Sequence, residues 1–245
     1  AAGVAELAVA QALDHAAAAE LLVADGQGRH RFAHDLVSQA LADSLSPARQ
    51  QALHAQLAQG MMDSGVEPAR VARHLDLAGR ADEAAPWHLR AAEVAFQRQA
   101  WPETVQLCSG VLAAAQDPAL RLAARQLTAR ARRRQVDVPG AEAELRAALA
   151  DAVRVGPGAV IDLGLALADL LITSGRAEAA LVELQALQAD PALSPRQRHQ
   201  VLQEQANALS MMGRHAESLP RLRQLLADVP ASDPRRRQRA LNLLS

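Results

Sequence analysis

Apolar and polar positions along this chain follow two rhythms. Over residues 4–19, Leu7, Leu13 and several Ala fall on one side of a helical period. Two short runs come next, Leu21-Leu22-Val23-Ala24 and Arg29-His30-Arg31-Phe32-Ala33, around Asp25-Gly26-Gln27-Gly28. Short runs on either side of a Gly-rich turn predict a β-hairpin, and a helix from about His34 to Ser44 follows it. From Ser46 onward the helical period dominates. Ser46-Pro47 is a helix start, with Ser as N-cap and Pro in the first turn. Gly65 ends that helix, Glu67-Pro68 opens the next and Gly79 closes it. Further breaks fall near Ala100–Pro102, Gln116–Pro118, Val136–Gly140, Val155–Gly158, Ser174–Arg176, Asp190–Pro195, Gly213–His215 and Val229–Pro234. Short turns between such helices suit antiparallel pairs.

The breaks recur. Gly175-Arg176 and Gly213-Arg214 are 38 residues apart, and Val111, Leu149, Leu187 and Leu225 keep that spacing three times. Leu107 with Leu145, and Leu184 with Leu222, repeat it. Two-helix units at this period predict a stacked helical repeat, because one unit cannot bury both of its faces alone.

Composition supports helix and removes several function classes. Of 245 residues, 57 are Ala and 37 Leu, while aromatics make up 2% and Tyr is absent. All 26 basic residues are Arg, and with only two Ile and two Asn this reads as GC-rich, bacterial coding. A single cysteine, Cys108, excludes an intramolecular disulfide framework and a Cys-rich zinc site. No apolar run reaches membrane-spanning length without a charge, and Ala1-Ala2-Gly3-Val4 has no signal-peptide pattern, so a cytoplasmic segment of a longer polypeptide is expected. The formal charge of −1 does not point to a dedicated nucleic-acid binder.

Gly213-Arg214-His215-Ala216-Glu217-Ser218-Leu219 resembles the turn phrase of tetratricopeptide repeats, and Gly175-Arg176-Ala177-Glu178-Ala179-Ala180-Leu181 matches it more loosely. Gln99-Ala100-Trp101-Pro102-Glu103-Thr104-Val105 is a further copy, and the one near Val138 is degenerate. Upstream, Arg31-Phe32-Ala33-His34-Asp35-Leu36-Val37-Ser38-Gln39-Ala40-Leu41, then Ser44-Leu45-Ser46-Pro47-Ala48-Arg49 and Leu53-His54, resemble a stretch of large bacterial regulatory ATPases. These are signal-transducing ATPases of the kind found in LuxR-type and SARP-type transcriptional activators. His74-Leu75 and Gly79-Arg80-Ala81-Asp82-Glu83-Ala84-Ala85 continue the pattern. In those proteins the stretch matched by Arg31–His54 lies between the winged-helix part of the ATPase core and a helical repeat sensor arm, and the resemblance covers about residues 20–115. With no Lys, the chain holds no phosphate-binding loop, so nucleotide chemistry is expected only in an ATPase core outside it.

Candidate chemistry is sparse, and no enzyme activity, cofactor or metal is expected. His30 and His34 straddle a strand–helix junction without a third ligand. His54, His74 and His88 sit one per helix, and Cys108 reads as a small buried hydrophobe. Arg130, Arg132, Arg133 and Arg134 end one helix, where cations favour the dipole; Arg235, Arg236, Arg237 and Arg239 begin another. The most informative polar stripe is Gln200, Gln203, Asn207 and Ser210, opposite apolar Leu202, Ala206 and Leu209. The tetratricopeptide resemblance implies that these positions, counted back from Gly213, face a concave groove, where neutral amides bond an extended backbone or a hydroxyl-rich ligand. The same count gives Asp162, Leu165, Asp169 and Ile172 one unit earlier, and Arg125, Thr128 and Arg132 before that.

The expected architecture is all-α: a tetratricopeptide-like antiparallel helix-pair solenoid after a small winged-helix remnant with one β-hairpin. Residues 1–45 form the remnant, 46–98 linking helices and 99–245 the repeats. The expected function is a signal-input and protein-interaction arm of a regulatory ATPase, holding a protein partner or small effector in the groove and contacting the ATPase core of the same polypeptide. A free-standing scaffold for protein tails is the first alternative. DNA binding through the winged helix is the second, although residues Ala10–Glu20, where the reading helix would lie, contain no Arg. No membrane partner is expected.

Overall fold

A computed structural model describes the backbone of residues 2–24 and 30–228 and the side chains of residues 7–24 and 30–225. The hairpin turn Asp25–Gly28, the last break at 229–234 and the second Arg run lie outside the described residues. The chain divides into two compact units, Ala1–Ser64 with His74–Gly79, and Gly65–Arg73 with Arg80–Ser245.

The first unit opens with α1 (Ala2–Ala18), a two-stranded antiparallel sheet of β1 (Leu22–Ala24) and β2 (His30–Phe32), and α2 (Asp35–Asp43). Leu22 pairs with Phe32, Val23 with Arg31 and Ala24 with His30. The Ala33 N–H donates to the Leu21 carbonyl at 2.9 Å and extends the ladder. Helix α3 (Pro47–Met62) starts at Ser46, whose hydroxyl accepts the Arg49 N–H. Gln50 reaches back to the Ala42 carbonyl at 2.6 Å. Helix α4 (Pro68–Leu77) belongs to this unit from His74 onward, and His74 Nδ1 lies 3.0 Å from His54 Nδ1. One of those nitrogens carries the proton and the other accepts it.

From Arg80 the second unit is a series of helix pairs: α5 (Ala81–Gln97) with α6 (Trp101–Ala114), α7 (Pro118–Arg134) with α8 (Val138–Val155), α9 (Pro157–Thr173) with α10 (Ala177–Gln188), and α11 (Pro195–Met211) with α12 (His215–Asp228). Each helix packs on the next, and α5 also packs on α7 and α9 on α11. Proline near the start and a capping side chain begin several of them. Asp117 accepts the Ala119 N–H at 2.9 Å, Asp137 accepts the Gly140 N–H at 2.9 Å, and Ser194 with Gln197 forms a capping box.

One turn recurs inside all four pairs. Gln99, Val136, Gly175 and Gly213 have φ of 62°, 63°, 80° and 73°, in the left-handed region. The next residue donates its N–H to a carbonyl five residues back: Ala100 to Ala95, Asp137 to Arg132, Arg176 to Leu171 and Arg214 to Leu209, at 2.8–2.9 Å. This closure satisfies carbonyls that the helix end leaves open. The intervals between the left-handed residues are 37, 39 and 38, so the repeat is real but not strictly constant.

The core runs along the second unit. Leu145 and Ala148 of α8, Ile161, Leu163, Leu167 and Leu171 of α9, and Leu184 of α10 belong to one cluster that reaches Val201 and Ala208 of α11. Of the positions spaced by 38, Val111 and Leu225 are buried, whereas Leu149 and Leu187 are half-buried against that cluster. Gly164 permits the close approach of α9 and α10: a Cβ there would lie 2.8 Å from a Leu187 methyl carbon.

Candidate functional site

The left-handed residues set the register of the four first helices, α5, α7, α9 and α11. Positions thirteen, ten, six and three residues before each of them form one stripe per helix. On α11 these are Gln200, Gln203, Asn207 and Ser210, and on α9 they are Asp162, Leu165, Asp169 and Ile172. On α7 they are Ala123, Gln126, Arg130 and Arg133, and on α5 Pro86, Leu89, Glu93 and Phe96. Side-chain contacts between successive first helices recur in this frame. The Arg130 guanidinium sits 4.6 Å from the Phe96 ring centre, a cation–π contact of α7 with α5. Arg133 Nη1 donates to Asp169 Oδ2 at 2.5 Å, and Gln197 Nε2 donates to Asp162 Oδ1 at 2.8 Å. In each contact the residue on the later helix lies three positions nearer its own helix start, so the stripes make one continuous face.

The Arg125, Thr128 and Arg132 set does not join that face. Arg125 donates to Asp151 Oδ2 at 2.8 Å and to Glu144 Oε2 at 3.2 Å, both on α8. Thr128 is 3% exposed and donates its hydroxyl to the Ala124 carbonyl on its own helix. Arg132 donates to Asp137 Oδ2 at 2.8 Å in the turn leading to α8. The register of α7 is offset by the turn itself: Val136, not a glycine, takes the left-handed position, so counting from residue 138 selects the side that faces the second helices. The residues equivalent to the α9 and α11 stripes are Gln126, Arg130 and Arg133.

Of the α9 and α11 stripe residues, Asp162, Leu165 and Gln200 border one cavity. Asp162, Leu165, Ser194, Arg196, Gln197 and Gln200 line an open cavity of about 520 Å³. Gln200 and Gln203 are half-buried and make no side-chain hydrogen bond among the described residues. Asn207 Nδ2 donates to Glu204 Oε2 at 3.5 Å. Burial pushes the Glu204 carboxyl above its ordinary range, and the charge of Asp169 adds to this. Ser210 turns away from the stripe: its Oγ lies 3.0 Å from Ser218 Oγ on α12, and Ser218 donates to the Ala206 carbonyl. Ile172 is 2% exposed and belongs to the core.

Several buried polar residues brace this face from behind. Glu142 of α8 bonds Arg146 on its own helix and accepts from Arg176 Nη1 at 2.5 Å, in the turn between α9 and α10. The Arg146 hydrogen bond, helped by Arg176, outweighs burial and holds the Glu142 carboxyl below its ordinary range. For Asp151, burial acts upward, but bonds and charges from Arg125 and Arg121 prevail and the net direction is down. Gln205 is 0% exposed and fully engaged: it donates to the Leu184 carbonyl and to Gln188 Oε1, and accepts from Arg221 Nε at 3.1 Å. It ties α10, α11 and α12 together. Sequence reasoning passed over Glu142, Gln197 and Gln205. Only Gln197 carried a readable signal, the Ser-x-x-Gln spacing of a capping box at Ser194.

Other sequence candidates fall into ordinary places. Cys108 is 0% exposed, and burial pushes its thiol up to about 11 against the Thr128 hydrogen bond, which leaves it un-ionised near neutral pH. Among the described residues no three His, Cys, Asp or Glu side chains gather as a metal site, and no helix is long and apolar enough to cross a membrane. In the first Arg run, Arg130 stacks on Phe96, while Arg132 and Arg133 pair with Asp137 and Asp169.

No family model matches this sequence, and no curated protein matches it. Solved structures do resemble it. A kinesin-light-chain-type protein of Podosopora anserina with nearly identical TPR-like repeats matches at TM-score 0.52 and 20% identity, over 75% of this chain and 96% of that one. YrrB, described as a TPR protein with an unusual peptide-binding site, matches at TM-score 0.53 and 14% identity, over 84% and 97%. MamA matches at TM-score 0.51 and 12% identity, over 73% and 91%. At these identities the likeness is one of fold, and the fold is the tetratricopeptide-like helix-pair array that the recurring turns had already indicated.

Proposed function

We propose that this chain is a protein-interaction arm that holds an extended stretch of a partner along the stripes of its first helices. The supporting observation is the pair of half-buried amides, Gln200 and Gln203, without side-chain bonds among the described residues, the first of them lining the cavity at Asp162. A half-buried amide without a partner is a donor and acceptor set for a peptide backbone. The binding of peptides by a structural neighbour, YrrB, supports the same reading. Affinity capture tests it. A partner retained by the native chain and lost with Gln203→Ala plus Asn207→Ala is the expected result. Equal retention by both chains would remove these stripes from recognition.

The finer reading is that the arm supplies signal input to a cytoplasmic bacterial regulatory ATPase of the transcriptional-activator kind. It rests on the resemblance of residues 31–54 and 74–85, and on the order helix, hairpin, helix, repeat array. Partner binding would act by favouring one of two arrangements of the ATPase, which requires unequal affinity for the two. In the parent polypeptide, deleting residues 80–245 is expected to change nucleotide turnover and its response to partner. Unchanged turnover would leave a free-standing scaffold as the function.

A further inference from the structure

The row of first helices is not evenly closed. Helices α5 and α7 pack directly, as do α9 and α11, but α7 and α9 are not among the closely packed helix pairs. Between them, floored by α8, lies a cavity of about 200 Å³. Its apolar lining comes from Leu145, Leu163 and Leu170 together with the small residues Ala129, Ala141 and Ala166. At the preceding junction Phe96 supplies bulk, packed edge-on against Trp101 and covered by Arg130. The equivalent residue on α7 is Arg133, whose guanidinium pairs with Asp169, so this junction has no ring in the place of Phe96.

The chemistry of the rim is one-sided. Arg130 and Arg133 both border the cavity and are exposed, and Arg134 follows them. Asp169 pairs with Arg133, while Arg130 stacks on the face of Phe96 and pairs with no carboxylate among the described residues. The depression is open to solvent over a nearly covered floor of Leu145, Leu163 and Leu170, and its volume of about 200 Å³ is of the order of one Leu or Phe side chain.

We propose that the gap between α7 and α9 is a specificity pocket for a partner peptide, taking one Leu-sized or Phe-sized side chain flanked by acidic residues. The inference rests on the interaction reading above and adds the chemistry of the ligand. The apolar side chain displaces weakly held water from the cavity, and the flanking carboxylates meet Arg130 and its neighbours at the rim.

The test uses pentapeptides capped at both ends, with two acidic residues on each side of a central Phe, Leu or Ala, and a Lys-flanked central-Phe control. Binding is read by anisotropy of a labelled central-Phe peptide with the others as competitors. The Phe and Leu peptides are expected to bind about tenfold or more tighter than the Ala peptide, and the Lys-flanked control about tenfold weaker than its acidic counterpart. Ala166→Phe, at an exposed position on the rim, is expected to abolish the preference for Phe over Ala without changing the helical melt. Arg130→Glu is expected to invert the flank preference. Equal binding of the Phe and Ala peptides overturns the inference, as does the absence of binding by any of them. Saturation by toluene alone, with no peptide bound, overturns it in favour of a small apolar ligand. Binding that survives Ala166→Phe but is lost with Gln203→Ala plus Asn207→Ala also overturns it, while leaving the interaction reading in place.

Discussion

Helices α1–α3 and helix α9 are all rich in Ala and Leu, yet they bury very different amounts of themselves. Among the described residues of α1–α3 only Ala58 is buried, and α2 buries none. Helix α9 alone buries eight residues, from Ile161 to Ile172. The difference lies in neighbours. Helix α9 has helices α8, α10 and α11 against it, so almost every apolar face finds a surface. Leu36 of α2, at 78% exposed, and Leu7 of α1, at 62%, have none among the described residues. Composition therefore says that a segment is helical, and the repeat decides whether its apolar side chains are buried.

Substitutions can break this contrast. The largest effect is expected from Leu171→Ala, which empties a fully buried site of α9 and should cost about 3 kcal/mol of unfolding free energy. Leu36→Ala should change stability by less than about 0.5 kcal/mol. Urea titrations followed by helical signal check both, and similar costs at the two sites would erase the contrast. Next comes Gln205→Ala. It leaves Gln188, Arg221 and the Leu184 carbonyl without their shared partner, at a cost of about 2 kcal/mol. The same substitution at exposed Gln185 should be silent in a thermal melt.

Glu142 sharpens the comparison through pH. Its folded carboxyl holds a proton less tightly than the unfolded one, because Arg146 and Arg176 favour the anion. The stability it contributes is therefore present above the ordinary glutamate value, near pH ~4.3, and is lost as pH falls through the lower folded value. Glu142→Gln is expected to cost about 1 kcal/mol at neutral pH and to flatten the acid limb of the stability profile. An unchanged limb would remove Glu142 from the account. The smallest effect is at Val136, a β-branched residue in the left-handed region. Val136→Gly should stabilise by about 0.5 kcal/mol, since relief of the backbone exceeds the entropy that glycine adds to the unfolded chain. Calorimetric melting checks the sign.

The fold was largely legible in the sequence, and the candidate site only partly. Gly175 and Gly213 announce their turns because glycine is the usual residue at a left-handed helix end. The Gln99 turn was found through the residues around it. Val136 hid its turn, since nothing about valine suggests that conformation, and intervals of 37 and 39 residues defeat a constant count. That displaced the α7 stripe to Arg125, Thr128 and Arg132, which face the second helices. Ser210 lay at the right spacing, but its hydroxyl bonds toward α12, a direction that spacing does not encode. The open junction between α7 and α9 was invisible for the same kind of reason. Its rim includes Arg133, which pairs with Asp169 across 36 residues of sequence.

The proposed partner-binding face is the set of stripes on the first helices and not the second helices. Photo-crosslinking tests it most directly, with benzoyl-phenylalanine placed at Gln203 on α11 or at exposed Gln185 on α10. Adducts in source lysate from position 203, absent from position 185, are the predicted result. The reverse pattern, or equal adducts from both positions, would remove these stripes as the partner's face.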